Sequence, residues 1–240
     1  MPGADKRSDG LVFAADGKKV RVFPGPAGSP VVYLNSYVDN GKVLHRLLRS
    51  ADGPSCSLVV VSNLRWDDEM TPWECPALFA GDSPCHGEAD GYLAWMQDHL
   101  MPAAERRLDG VPSYRAVAGY SLAGLFAVYA LYRTDAFDRA ASMSGSLWYP
   151  RFLEYTRSHA MLAKPSCLYF SLGDQECRST IKLLQTVQER TEALADDCRR
   201  AGIETTFRLN RGNHVQHGDR RTADGILWIL SHGAKAGGVR

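Results

Sequence analysis

Between Ser113 and Tyr132 the chain runs from a short apolar stretch, Tyr114–Gly119, through a glycine-flanked serine into Leu122–Tyr132, which is almost wholly apolar. No other feature limits the fold as much. A helix without a polar face has to be buried, and a β-rich run joined to it by a tight turn has to lie against it. Six further runs read as strands: Val20–Phe23, Val31–Leu34, Ser57–Leu64, Ala140–Met143, Cys167–Leu172 and Glu204–Leu209. Ser57–Leu64, written SLVVVSNL, is continuously apolar in the way of a strand covered on both faces. Helical patterns separate these runs at Gly41–Arg49, Tyr92–Leu108 and Thr222–Ser231, with Pro102 expected to kink the second. A further helix is expected to start at Ser179 as N-cap and to stop at Gly202, with Ile181, Leu184, Val187, Leu194 and Cys198 on one side. Strands alternating with helices predict an α/β fold: a mostly parallel central sheet with helices on both faces. One such domain, residues 1–240, accounts for the whole length, and no linker, repeat or low-complexity block divides it.

Composition narrows the partners. Hydrophobic residues make up 45% and charged residues 23%, and a formal net charge of +1 gives no reason to expect nucleic acid or an anionic membrane. No apolar run approaches the roughly 18 residues of a membrane span. Met1–Gly10 has no apolar core behind a basic head, so no signal peptide is expected. The six cysteines, at 56, 75, 85, 167, 177 and 198, form no CxxC pair and are expected to be free thiols. These readings favour the cytoplasm. The tail from Gly233 to Arg240 is expected to fray.

Chemistry enters at the serine between strand and helix. Strand, sharp turn and helix with a serine at the turn make a nucleophile elbow. The turn lifts the hydroxyl out of the sheet, and the helix N-terminus favours developing negative charge. Gly119 and Ala123 stand two before and two after Ser121, giving G-x-S-x-A with Gly124 next, so small residues sit where the turn must close. A serine hydroxyl needs a base, and the base needs an orienting carboxylate. After Ser121 the expected order is acid, then histidine. His159 and His232 fall in helical contexts that suit surface roles. His214 and His217 follow the Glu204–Leu209 run, and the Gly212-Asn213 turn favours His214 as the base. The Cys167–Leu172 run leads into Gly173-Asp174-Gln175-Glu176, which offers two carboxylates, Asp174 and Glu176. Their ordinary alternatives are a turn aspartate and a helix-entry charge. No HExxH pattern and no third ligand beside His214 and His217 marks a metal site, and no cofactor is expected.

The segment Arg65–Asp90 has no clean period and carries Trp66, Trp73 and Phe79 among prolines and glycines. A loop this long in a compact domain is usually functional or disordered, and its aromatics argue against disorder. Leaving the C-terminal end of a strand, it is expected on the rim of Ser121, where open α/β sheets bind ligands. Trp66, Trp73 and Trp148 are candidate walls of a substrate pocket, with ordinary packing as the alternative for each.

In this order, the blocks VVYLNSY, SNLRWDDEMTPW, GYSLAGLFAVYALY, SMSGSLWYP, YFSLGDQE and RGNH resemble the α/β-hydrolase fold. Within that fold they are similar to the esterase D-like putative esterase family, whose relatives include S-formylglutathione hydrolases, feruloyl esterases and siderophore esterases. The resemblance runs from about Val31 to Leu230. It implies an α/β-hydrolase domain without a separate large cap domain, with Ser121 as nucleophile and His214 as base. In such enzymes the acid commonly sits third after the strand-ending glycine, which implies Glu176, with Asp174 the alternate. The oxyanion hole would combine the N–H of Leu122 with one from the loop Asn35-Ser36-Tyr37, assigned to Tyr37 ahead of Ser36. The implied activity is hydrolysis of carboxylic or thiol esters through an acyl-serine intermediate, and the implied partner is a small-molecule ester. Acyl transfer by the same triad and a non-catalytic binding protein on a hydrolase scaffold are the alternatives. The oligomeric state is left open.

Overall fold

The computed structural model describes residues 9–78, 81, 83–162 and 164–233. Phe79, the first eight residues and the tail 234–240 lie outside the described residues. Eight strands, β1 (Leu11–Ala15), β2 (Lys18–Phe23), β3 (Val31–Asn35), β4 (Ser57–Ser62), β5 (Arg115–Tyr120), β6 (Arg139–Met143), β7 (Cys167–Gly173) and β8 (Glu204–Asn210), form one sheet in the order β1-β2-β4-β3-β5-β6-β7-β8. Neighbours from β4 across to β8 are parallel, while β2 runs antiparallel to both β1 and β4.

β1 adds a strand to those expected. It pairs with β2 through the Asp16-Gly17 turn, closing on Ala15 opposite Lys18. Both turn residues have positive φ, 48° and 78°, which is what a two-residue hairpin of the Asp-Gly type requires. That dipeptide is a hairpin signal legible in the sequence. The exposed Leu11 and Val12 and the lysines after the turn give the two strands too weak an alternation to stand out beside it.

Alternate residues of the central strands enter two cores. Val31, Tyr33, Val59, Val117 and Phe170 face one way; Val32, Leu34, Leu58, Ala118 and Tyr169 face the other. Nine helices pack around them among the described residues: α1 (Gly41–Ser50), α2 (Trp66–Glu69), α3 (Ala89–Trp95), α4 (Met101–Glu105), α5 (Leu122–Arg133), α6 (Phe152–Ser158), α7 (Lys182–Gln185), α8 (Val187–Arg200) and α9 (Gly218–Ser231). Leu44 of α1 and Ile226 and Ile229 of α9 cover the second face, whereas Leu93, Ala104, Phe126 and Leu194 bring α3, α4, α5 and α8 onto the first. α5 is buried from Leu122 to Tyr132. Full burial of side chains such as Leu125, Phe126 and Leu131 stabilises by about 2 kcal/mol each, so tertiary packing holds this helix where it is.

Three helices differ from expectation in extent. The second starts at Ala89 and is split by a π-helical turn, Met96–Leu100, in which the Met101 N–H bonds the Met96 carbonyl. Pro102 has no N–H for the Asp98 carbonyl and its ring would collide with it, and the wider turn just before it absorbs that mismatch. The helix expected from Ser179 breaks at Thr186 into α7 and α8. Ser179 Oγ does accept the Ile181 N–H at 3.1 Å, but only Val187, Leu194 and Cys198 of the proposed stripe are buried. α9 begins at Gly218, four residues ahead of the predicted start, a shift that matters for the site. Among the described residues no helix is long and apolar enough to cross a membrane, and all six cysteines are free.

Candidate active site

The turn from β5 into α5 forces Ser121 to φ 59° and ψ −125°, a backbone conformation that only a surrounding structure can hold in a non-glycine residue. It is held from both sides. The Ser121 N–H donates to the Met143 carbonyl at 3.1 Å, and the Ser121 carbonyl accepts from Gly124, Leu125 and Ser146. A Cβ on Gly119 would lie 2.2 Å from the Ala123 carbonyl carbon and oxygen, so glycine is required there by close approach. Gly119→Ala is expected to lower stability by about 3 kcal/mol, read as a lower denaturant midpoint at unchanged m. A midpoint equal to wild type would show that the turn relaxes freely.

Ser121 Oγ stands 3.0 Å from His214 Nε2, and His214 Nδ1 stands 2.7 Å from Glu176 Oε2. The carboxylate is acceptor-only, so Nδ1 carries the ring proton and Nε2 offers its lone pair to the serine hydroxyl. The Glu176 side chain is 4% exposed. Its other oxygen, Oε1, accepts from the Gly173 N–H at 2.5 Å, Ser144 Oγ at 2.7 Å and Arg221 Nη1 at 3.1 Å. Burial pushes the Glu176 carboxyl up, but the hydrogen bond and charge of His214, with the Gly173 and Ser144 donors, outweigh it and hold the group below the ordinary glutamate range.

Asp174 does other work. Its Oδ1 accepts the Gly212 N–H at 2.8 Å, and the Gln175 N–H bonds the Gly212 carbonyl at 3.1 Å. The loop that carries His214 is thereby tied to the loop that carries Glu176. Gly212 takes φ 109°, and Asn213 Oδ1 accepts the Val215 and Gln216 N–H groups in a tight turn. His217, at φ 60°, is the exposed cap residue of α9. His159 and His232 stack on Tyr155 and Trp228 respectively, each ring bonding a carbonyl of its own helix.

A cavity of about 370 Å³ opens beside Ser121 at the C-terminal rim of the sheet. Tyr37 and Trp66 form an aromatic edge of it, their rings T-shaped with centroids 5.2 Å apart. Asn40 and Asp219, bonded to each other at 2.7 Å, give it a polar edge. In the loop after β3 the Ser36 N–H is committed to the Val61 carbonyl at 2.9 Å, whereas the Tyr37 N–H engages no acceptor among the described residues. The Leu122 N–H, at the start of α5, is likewise without an acceptor among the described residues. A larger hollow of about 540 Å³ lies at the N-terminal ends of β3 and β4, the rim remote from Ser121.

Trp73 and Trp148 do not line the cavity beside Ser121. Trp73 packs among Tyr129, Tyr149, Phe152 and Tyr155, and its Nε1 donates to the Pro150 carbonyl at 2.9 Å. A ring so enclosed and already bonded fills the core under the long segment. Trp148 leans on Tyr149 with centroids 5.9 Å apart. Only Trp66, on the short α2, faces the cavity. Sequence reasoning missed Ser144, Tyr120 and Arg221. Arg221 carries a signal nonetheless: it stands one and two turns before Gly225 and Ile229, on the buried stripe of α9, and a cation on such a stripe needs a partner. Among the described residues no group of three or more His, Cys, Asp or Glu side chains is placed to hold a metal ion.

A family model, Esterase, described as "Putative esterase", matches residues 13–208. That span includes Ser121 and Glu176 and ends before His214. The chain is 22% identical over 214 residues to the uncharacterized protein YbbA of Bacillus subtilis (strain 168), covering 84% of this chain and 86% of that one. Among solved structures, an IroE-like serine hydrolase from Shewanella oneidensis is similar with a TM-score of 0.77 at 18% identity, over 92% of this chain and 79% of its own. The siderophore hydrolase EstB from Aspergillus nidulans is similar with a TM-score of 0.65 at 19% identity, over 96% and 98%. At such identities the structural likeness is one of fold.

Proposed function

The chain belongs to the putative esterase family, and on that premise we propose that it cleaves carboxylic esters through an acyl-serine intermediate, with Ser121, His214 and Glu176 as the triad. The observation that carries this reading is the contact chain Ser121 Oγ–His214–Glu176, at 3.0 and 2.7 Å, on the rim of a cavity. His214 Nε2 takes the hydroxyl proton as Oγ attacks the ester carbonyl. The negative charge moving onto the carbonyl oxygen is met by the N–H groups of Leu122 and Tyr37, one of them at the positive end of α5. Collapse expels the alcohol, which receives its proton from the imidazolium, and water then resolves the acyl-enzyme by the same steps. Thiol esters fit the same sequence, with a thiol as leaving group.

The direct test is labelling of the protein by a fluorophosphonate, located by peptide mass, together with a screen of short-acyl, aromatic-acyl, thioester and lactone substrates. Labelling at Ser121 with turnover of at least one ester class is expected. A protein that neither labels nor turns over any ester is not an esterase of this mechanism.

Glu176→Gln is expected to slow acylation by about 10²- to 10⁴-fold, because a neutral amide holds the wrong tautomer as readily as the right one. Asp174→Asn is expected to keep near-normal chemistry and to cost about 1–2 kcal/mol of stability through its bond to the Gly212 N–H. Single-turnover rates and unfolding midpoints of both variants decide; a fast Glu176→Gln beside a slow, stable Asp174→Asn hands the role to Asp174. The lowered Glu176 carboxyl also ties stability to pH. Its contribution is complete above the ordinary glutamate value of about 4.3 and is lost as pH falls through the lower folded value. Below about pH 4.3 the wild type should therefore lose stability more steeply than Glu176→Gln, as read from melting temperatures.

A further inference from the structure

We propose that Arg221 is a positioning residue for His214: its guanidinium offsets the charge of Glu176, so that the carboxylate orients the imidazole without over-stabilising its protonated form. This rests on the triad reading above. The Arg221 side chain is 3% exposed and meets a carboxylate 4% exposed, Nη1 to Oε1 at 3.1 Å. The same nitrogen donates to Ser144 Oγ at 3.1 Å and Tyr120 Oη at 3.2 Å, while Nη2 donates to the Arg211 carbonyl at 3.1 Å. Tyr120 Oη in turn donates a hydrogen bond to the His214 carbonyl at 2.6 Å. One side chain thus grips the acid directly, the backbone of the base loop at Arg211, and through Tyr120 the carbonyl of His214 itself. Gly173 has to be glycine for this: a Cβ there would stand 2.9 Å from Arg221 Nη2 and 2.2 Å from the Gly212 carbonyl oxygen.

The division of labour follows from the two carboxylate oxygens. Oε2 is given to the His214 ring, and Oε1 is saturated by Arg221, Ser144 and Gly173. A bare buried carboxylate would draw a proton onto the imidazole and disable the base at neutral pH. A carboxylate already paired with a permanent cation keeps its directional hydrogen bond and loses most of its long-range pull. The other ionisable groups around His214 are Tyr120 at the end of β5, whose ring lies 5.5 Å away, and Arg211 and His217 of its own loop. Asp174 bonds the loop backbone at Gly212.

The test is the pH profile of kcat/KM for an uncharged activated ester, whose acidic limb reports the base of the free enzyme. In Arg221→Met and Arg221→Gln the acidic limb is expected to move up by about one pH unit, with KM changed less than about 3-fold. Arg221→Lys, which restores a cation, is expected to bring the limb back. An unmoved limb in either folded neutral variant overturns the proposal, whatever rate or stability is lost, because a merely structural arginine has no reason to move it. If both neutral variants unfold, Arg221→Met combined with Glu176→Gln leaves no buried charge unpaired. Its limb is expected about one unit above that of Glu176→Gln alone, since the lone guanidinium no longer repels the imidazolium; coincident limbs overturn the proposal. A wild-type enzyme that fails to label at Ser121 removes the triad reading itself, which is a separate outcome.

Discussion

Ser121→Ala is expected to reduce kcat/KM for an activated ester by at least about 10⁴-fold while leaving the unfolding free energy within about 0.5 kcal/mol of wild type. The rate loss is large because the variant has no group at the turn that can form the acyl bond; what survives is whatever the Leu122 and Tyr37 N–H groups do for attack by water. The stability change is small because the strained turn is held by backbone bonds to Met143, Gly124, Leu125 and Ser146, none of which uses the hydroxyl. The hydroxyl itself bonds His214, a half-exposed ring that water can serve instead. Fluorophosphonate labelling should vanish in parallel. A folded variant that keeps more than a few per cent of the activity moves the nucleophile elsewhere.

His214→Ala is expected to be nearly as damaging, about 10³- to 10⁵-fold in kcat, and His217→Ala to stay within about 3-fold. The two rings lie three positions apart on one loop, yet only His214 has a partner on each nitrogen. His217 is exposed at φ 60°, where it starts α9. Histidine already carries the Cβ that makes this conformation costly, so alanine adds little to that penalty and His217→Ala should leave both the rate and the melting temperature near wild type. Steady-state kinetics on both variants separate the two. Comparable losses in both would mean that the loop moves as a unit and that the base assignment rests on too little.

Much of this arrangement is legible in the sequence because it depends on local pattern. The apolar run before Gly119 and the apolar helix after Ser121 specify a buried strand and helix, and with them the turn. His214 is legible because glycine and asparagine before it demand a tight bend. The choice between Asp174 and Glu176 is another matter. Both follow the glycine that ends β7, and only the partner loop, brought alongside by β8, decides which carboxylate meets a ring and which meets an N–H. Trp73 and Trp148 could not be sorted from Trp66 for a similar reason. An aromatic in an aperiodic segment looks alike whether it lines a cavity or fills the core beneath. Arg221 escaped because the last helix was expected to begin one residue after it, and a charge outside a helix raises no question about burial.

The placement of β3 between β4 and β5 governs how an unfolded chain becomes an active one. β5 pairs with β3, although α1, β4, the long Arg65–Asp90 segment and α3 to α4 all intervene in the chain. β6, β7 and β8 follow across the sheet, each beside its predecessor. Parallel pairings across such long connections are slow to form. Ser121 and His214 meet across 93 residues of chain, and His214 and Glu176 across 38, so the three side chains come together only when β5, β7 and the loop after β8 are all in place. Recovery of ester cleavage during refolding should therefore report the completion of the sheet. A chain in which β8 had not joined would leave Ser121 without the imidazole of His214 beside it.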